Sequence, residues 1–218
     1  MKKNLVIVGA GGFGREVQWL IERINSERKD TADGWNLLGY IDDGLEKGTM
    51  VDGLPVLGKI DDLRGSRQEI CAACAIGRAS VRQRVISLLM ENEKISFPNL
   101  IDPSVKMSGR VKMGKGNILC AGTILTVDIE MGDFNLLNLD CTVGHDVKLA
   151  SFVTVYPSVN ISGNVTVEEV CELGTGTQIL QGKRIGRGTT VGAGAVVIED
   201  LPGECVAVGV PAAVVKKE

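Results

Sequence analysis

From position 101 onward every sixth residue is aliphatic. The series runs Ile101, Met107, Met113, Leu119, Leu125, Met131, Leu137, Val143, Leu149, Val155, Ile161, Val167, Leu173, Ile179, Ile185, Val191 and Val197 without a slip. Four residues after most of these anchors stands something small or β-branched, such as Thr123, Cys141, Val147, Val159 or Ala195. Glycine follows the anchor directly at 114, 132, 144, 174, 186 and 192. An internal repeat of fixed length means stacked units that bury one continuous core. Six residues suffice for one short strand and a tight turn, and three such sides close a triangular coil of about 18 residues. The anchors then point into the prism, and Leu119, Leu137, Val155, Leu173 and Val191 form an aliphatic ladder. Residues 101–199 give about five and a half coils, a stack on the order of 25 Å long at ~4.8 Å between strands.

A prism this narrow has no room for large side chains. The composition agrees: the 218 residues include two Trp, two Tyr and four Phe, against 28 Gly. Glycine is expected at the corners, where the backbone must turn tightly. Exposed ends of such a stack need cover, which the preceding domain and residues 203–218 are expected to give.

The first hundred residues follow a different rule. Leu5-Val6-Ile7-Val8 reads as a strand running into Gly9-Ala10-Gly11-Gly12-Phe13-Gly14-Arg15-Glu16. Val17, Leu20, Ile21 and Ile24 then recur at helical spacing. Strand, glycine turn and helix open a nucleotide-binding unit. After a polar stretch from Asn25 to Gly34, Leu37 to Asp43 predicts a second strand ending in two carboxylates. Leu54–Leu57 and Ile70–Ile76 predict further strands, and Val81, Val85, Leu88 and Leu89 predict a helix reaching Glu93. Phe97-Pro98-Asn99 breaks the pattern. The organisation expected is a Rossmann-like α/β domain over 1–97, an all-β helix over 101–202 and a tail over 203–218.

Charge and cysteine content narrow the function. The net charge of -3 includes no basic excess in either half, so no nucleic-acid partner is expected. Apolar runs fall far short of the ~18 residues of a membrane span, and no signal-like start is seen. A cytoplasmic protein without a membrane span is expected. The six cysteines are read as reduced thiols. Cys71 and Cys74 form the one CxxC, and with a single histidine in the chain no metal site is expected.

The hexapeptide series, with Val8-Gly9-Ala10-Gly11-Gly12-Phe13-Gly14-Arg15-Glu16, Ile41-Asp42-Asp43, Ala75-Ile76-Gly77, His145-Asp146 and Gly209-Val210-Pro211-Ala212, resembles the hexapeptide-repeat sugar acetyltransferases. That family includes sialic acid O-acetyltransferases and UDP-4-amino-sugar N-acetyltransferases. The resemblance covers nearly the whole chain. It implies a left-handed parallel β-helix, an exception to the right-handed crossover rule, and a homotrimer with acetyl-CoA between neighbouring helices. It implies acetyl transfer to a sugar, most simply to the amine of a nucleotide-linked 4-amino-4,6-dideoxy sugar. O-acetylation of sialic acid or another surface-polysaccharide sugar is the alternative.

An attacking amine or hydroxyl must shed a proton as it adds to a thioester, and imidazole, which titrates near neutral pH, suits that task. His145 is therefore the candidate general base. The family pattern makes Asp146 its acidic neighbour and puts Asn138 near the acceptor. Adjacent strand residues point opposite ways, so a direct His145–Asp146 bond requires corner geometry. The resemblance further implies that Thr154, Gly163, Thr175 and Ala193 line the acetyl-CoA slot. Relatives often carry a second histidine at the place of Thr154, which cannot do imidazole's work. Gly11, Gly12, Phe13, Asp42, Asp43 and Gly77 would hold the nucleotide, with a carboxylate of Asp42 or Asp43 accepting from base or ribose. Many relatives have histidine at Phe13 and asparagine at Arg78.

Three other readings are weaker. A dinucleotide-dependent oxidoreductase would place an acid about 20 residues after the glycines, and Asp42 lies 28 after Gly14. A carbonic anhydrase of this repeat type needs three histidine ligands. A non-catalytic module leaves the His145-Asp146 pair without a purpose.

Overall fold

The computed structural model describes residues 2–28 and 34–217. Residues 29–33, within the polar stretch expected between the first helix and the second strand, lie outside the described residues. The chain divides into two compact units, residues 1–77 with 81–103 and residues 78–80 with 104–218.

The first unit is built on a six-stranded sheet. Its elements are β1 (Lys3–Val8), α1 (Gly12–Glu27), β2 (Trp35–Ile41), β3 (Met50–Val51), β4 (Leu54–Gly58), α2 (Ile60–Arg64), β5 (Ile70–Cys74), α3 (Ala79–Leu89) and β6 (Ile95–Ser96). The strand order is β3-β4-β2-β1-β5-β6. All neighbours are parallel except the β3–β4 hairpin, whose Asp52-Gly53 turn has φ of 42° and 80°, the pairing that a two-residue hairpin favours. Strand β1 is wholly enclosed from Leu5 to Val8, flanked by β2 on one side and β5 on the other. The order of strands reverses there, and ligands bind outside the carboxyl ends of strands at such a switch point.

Helix α1 buries Gly14, Val17, Leu20, Ile21 and Ile24, the face its spacing predicts. Two expectations shift. Strand β5 stops at Cys74, so Ala75 and Ile76 belong to the loop that follows. Helix α3 ends at Leu89 and buries Arg82, Val85, Ile86 and Leu89, while Val81 and Leu88 are half-buried. That face also has helical spacing, but a charged residue at its first position hid it from an apolar count.

In the second unit two-residue strands stack into three parallel walls. Wall 1 includes Ile118–Leu119, Leu136–Leu137, Thr154–Val155, Glu172–Leu173 and Thr190–Val191. Wall 2 runs from Lys106–Met107 to Val196–Val197, and wall 3 from Lys112–Met113 to Arg184–Ile185. Leu119, Leu137, Val155, Leu173 and Val191 pair in one column, each nearly or fully inaccessible. This is the parallel β-helix that the period of six demands. Anchors are enclosed only from Leu119 upward, since Met107 is 40% exposed and Met113 half-buried. An end coil has a neighbour on one side only.

Glycine serves the corners in two ways. Three residues past each anchor from Met113 to Val191 the backbone is left-handed, with φ from 56° to 62° at Asp128, Phe134, Asp140, Asp146, Phe152, Ser158, Asn164 and Val170, and glycine at the equivalent 116, 122, 176, 182, 188 and 194. Asp and Asn tolerate that conformation, whereas a β-branched Val170 is an outlier. One residue past the anchor, where φ is ordinary, a side chain would strike the next coil. A Cβ on Gly144 would stand 2.7 Å from Gly163 N, and one on Gly174 2.6 Å from Ala193 N.

Polar residues within the prism tie one coil to the next. Asn117 Oδ1 accepts from Asn135 N–H at 2.9 Å, Asn135 Oδ1 accepts from Val153 N–H at 2.7 Å, and Asn117 Nδ2 donates to Gly132 O at 3.0 Å. An Asn117→Val substitution orphans a buried amide and should cost about 2 kcal/mol, measured as a lowered denaturant midpoint at constant m-value. An unchanged midpoint would show that the ladder does not hold the lower coils. At the other end, within the segment expected as a tail, residues 205–217 form a hairpin that extends wall 1. Cys205–Val208 pairs in parallel with Thr190–Val191, and Ala213–Lys217 returns antiparallel.

Candidate active site

His145 stands in the turn between walls 2 and 3, two residues past the anchor Val143. The next residue, Asp146, is the left-handed one of that corner, with φ of 59°. This reversal of the alternating strand pattern turns both side chains to the same side, and Asp146 Oδ2 lies 2.7 Å from His145 Nδ1. Both side chains face solvent, at 52% and 59% exposure, so the pair is accessible to a reactant. With Nδ1–H donating to the carboxylate, Nε2 is left as the nitrogen with a free lone pair.

The floor under the imidazole is Gly163, one coil further on. A Cβ there would stand 2.4 Å from Nε2 and 2.5 Å from Cε1. Gly163 is itself buried. The 18-residue coil thus makes the absence of a side chain at 163 a condition for the ring position at 145. The backbone fixes the spacing, with Asn164 N–H donating to His145 O at 2.7 Å. The resemblance implies a place for Gly163 in the acetyl-CoA slot; its contact with the ring follows from the difference of 18 between the two positions.

The other assigned residues occupy different places. Asn138, Thr175 and Ala193 lie in turns between walls 1 and 2, while Thr154 lies on a strand of wall 1 and is 3% exposed. Asn138 Oδ1 accepts from Leu139 N–H at 2.7 Å, an ordinary turn bond. Thr175 and Ala193 are exposed. Within one chain, then, only Gly163 among the slot residues joins His145 and Asp146.

In the first unit the assigned residues gather at the carboxyl ends of β1, β2 and β5. Gly9 has φ of 101°, and a Cβ on Gly14 would stand 2.1 Å from Gly9 O, so both glycines are required by the turn itself. Gly11 and Gly12 are different: a Cβ on either meets nothing within 4 Å. The start of α1 carries no side-chain cap and no acidic residue in its first turn. Asp42 holds the glycine loop, its Oδ2 accepting from Ala10 N–H and its Oδ1 from Gly44 N–H, each at 2.8 Å. Asp43 Oδ1 accepts from Ile60 N–H at 2.9 Å. These carboxylates therefore build the crevice as well as facing it.

The thiols carry no sign of nucleophilic use. All six cysteines are buried thiols. Burial pushes Cys74 and Cys141 up to about 11 and Cys171 up to about 12, so these three are protonated at neutral pH. Among the described residues no group of three His, Cys, Asp or Glu side chains is placed to hold a metal ion. No helix there is long and apolar enough to cross a membrane.

Residues 4–89 match the family model described as the PglD N-terminal domain. The chain is 29% identical over 180 residues to the GDP-perosamine N-acetyltransferase of Escherichia coli O157:H7, covering 81% of this chain and 77% of that one. The crystal structure of PerB from Caulobacter crescentus, in complex with CoA and GDP-perosamine, superposes with a TM-score of 0.88 at 30% identity, over 98% of this chain and 97% of that one. The chain belongs to the hexapeptide-repeat sugar acetyltransferases. The acetyltransferase domain of PglB from Neisseria gonorrhoeae, in complex with acetyl coenzyme A, aligns with a TM-score of 0.88 at 27% identity over 99% of this chain. As a member of this family the protein is an acyltransferase, and its β-helix is the family's transferase scaffold.

Proposed function

We propose that this acetyltransferase moves the acetyl group of acetyl-CoA to the amine of a nucleotide-linked 4-amino sugar, with His145 as general base. The observation that carries the reading is the corner pair: an accessible imidazole with Nδ1 on Asp146 and Nε2 left to accept a proton. As the amine nitrogen adds to the thioester carbon, Nε2 takes the proton that the nitrogen loses. Asp146 keeps the ring in the required tautomer and stabilises the imidazolium. Collapse breaks the carbon–sulfur bond, and the imidazolium returns its proton to the departing thiolate. The acetyl group passes directly, in keeping with the protonated thiols.

The first unit supports a nucleotide-linked acceptor. Open space in front of Gly11 and Gly12 leaves room for a phosphate to approach the backbone, and the uncapped start of α1 offers N–H donors and the positive end of a helix dipole. Asp43 Oδ2 is free to accept from a base or ribose. The relatives above include one solved with GDP-perosamine, a nucleotide sugar.

A homotrimer completes the site. Asn138, Thr175 and Ala193 share one corner of the prism and His145 with Gly163 another, so a slot lined by both sets requires a second copy of the chain. Acetyl-CoA would then lie along that seam, its arm against small residues and backbone amides. The mass of three chains in light scattering supports this arrangement, and a catalytically active monomer excludes it.

The direct test is thiol release from acetyl-CoA with UDP-, dTDP- and GDP-linked 4-amino sugars, alongside free and CMP-linked sialic acid. Release with an amino-sugar nucleotide and an amide product is expected. Release only with a sialic acid would make the product an ester and overturn the amine assignment.

A further inference from the structure

Arg82 is fully buried, the largest such side chain among the described residues. Arginine is almost never so enclosed unless its donors are used. One of its nitrogens serves one short segment: Nη1 donates to Ile76 O at 2.7 Å and to Gly77 O at 3.0 Å. That segment leaves the carboxyl end of β5, beside β1, where the order of strands reverses. It packs on the glycine loop, since a Cβ on Gly9 would stand 3.2 Å from Ala75 O and 3.5 Å from Ile76 Cγ1. The preceding bond, from Ala75 N–H to Val8 O at 2.8 Å, fixes its start.

A trans peptide is planar, with its C=O and N–H pointing opposite ways. By drawing the Ile76 carbonyl toward the interior, the guanidinium turns the N–H of Gly77 away from it. An extended β5 would alternate its carbonyls instead; here two successive carbonyls turn to one nitrogen, Nη1, whose two N–H bonds are held in the guanidinium plane.

We propose that Arg82 is a positioning residue for the nucleotide crevice, holding Ile76 and Gly77 in the one backbone conformation that receives the diphosphate and ribose of the acceptor. This rests on the reading of the first unit as the nucleotide-sugar site. Arg82 touches no reactant; it acts through the loop, and no part of it serves the acetyl donor.

The test uses the full chain and separates the two substrates. Nucleotide affinity is first measured for the wild type by calorimetry with GDP, UDP and dTDP. Arg82→Lys keeps the charge but replaces two N–H bonds fixed in a plane by a freely rotating ammonium on a flexible stem. It should weaken the nucleotide that binds best, and raise KM for the matching nucleotide sugar, about tenfold, while kcat and KM for acetyl-CoA stay within about twofold and the melt remains cooperative. A folded variant with unchanged nucleotide affinity overturns the proposal, as does an equal loss for both substrates. Arg82→Gln, neutral but still able to donate to a carbonyl, carries the same expectation if the lysine variant does not fold. In the wild type, bound nucleotide should slow amide exchange at residues 75–77, and no change there also overturns it. Absence of binding by all three nucleotides would instead sink the crevice reading on which the proposal stands.

Discussion

Replacing His145 with alanine should lower kcat by about 10²- to 10⁴-fold, the range for loss of a positioned general base. KM for acetyl-CoA and the melting temperature should stay nearly constant. The side chain is exposed and its hydrogen bond is to the neighbouring Asp146 carboxylate, so little folding energy resides in it. Asp146→Asn should fall between wild type and His145→Ala, because it keeps a hydrogen-bond partner for Nδ1 but removes the charge that stabilises an imidazolium. Steady-state rates at saturating acetyl-CoA decide the matter. Undiminished turnover in His145→Ala would remove the base from the mechanism.

Gly163→Ala should separate stability from catalysis. The added methyl would have to occupy space 2.4 to 2.9 Å from three ring atoms of His145. A contact that short is not tolerated, and the imidazole, at the end of a side chain with free rotamers, is the part that moves. The backbone of Gly163 does not have a positive φ, so alanine fits the coil. The melting temperature should therefore stay within a few degrees, while kcat falls about 100-fold, the penalty for displacing a reacting group by about 1 Å. A variant as active as wild type would mean that the ring does not work from this position.

Most of the architecture follows from periodicities that side-chain burial imposes. The period of six names the inward anchors because a narrow prism admits only aliphatics there, and it fails at Met107, where no complete coil surrounds the residue. The glycines marked the corners, but the sequence could not distinguish those needed for a positive φ, as at 176, from those needed for close approach, as at 144. Both look alike until the coils are stacked. His145-Asp146 was readable as a pair, yet its bond depends on a left-handed backbone at Asp146 that no local preference guarantees. The slot residues were assigned as one set. Their separation onto two corners comes from the winding of the coil, which a linear pattern of family positions does not display. Arg82 went unnoticed because a charged residue in a helix reads as a solvated one, and its partners are carbonyls, which have no sequence signature.

The left-handed residue three places past each anchor from Met113 to Val191 gives the molecule a unit of length. Bonds between coils join residues 18 apart, as from Val153 N to Asn135 Oδ1. Excision of one full turn of chain would shorten the stack by a single step and leave every remaining column in phase. Loss of a number of residues that is not a multiple of 18 would rotate the upper columns out of line with the imidazole. The protein is in this sense a spiral ruler, tolerant of editing in whole divisions and intolerant of fractions.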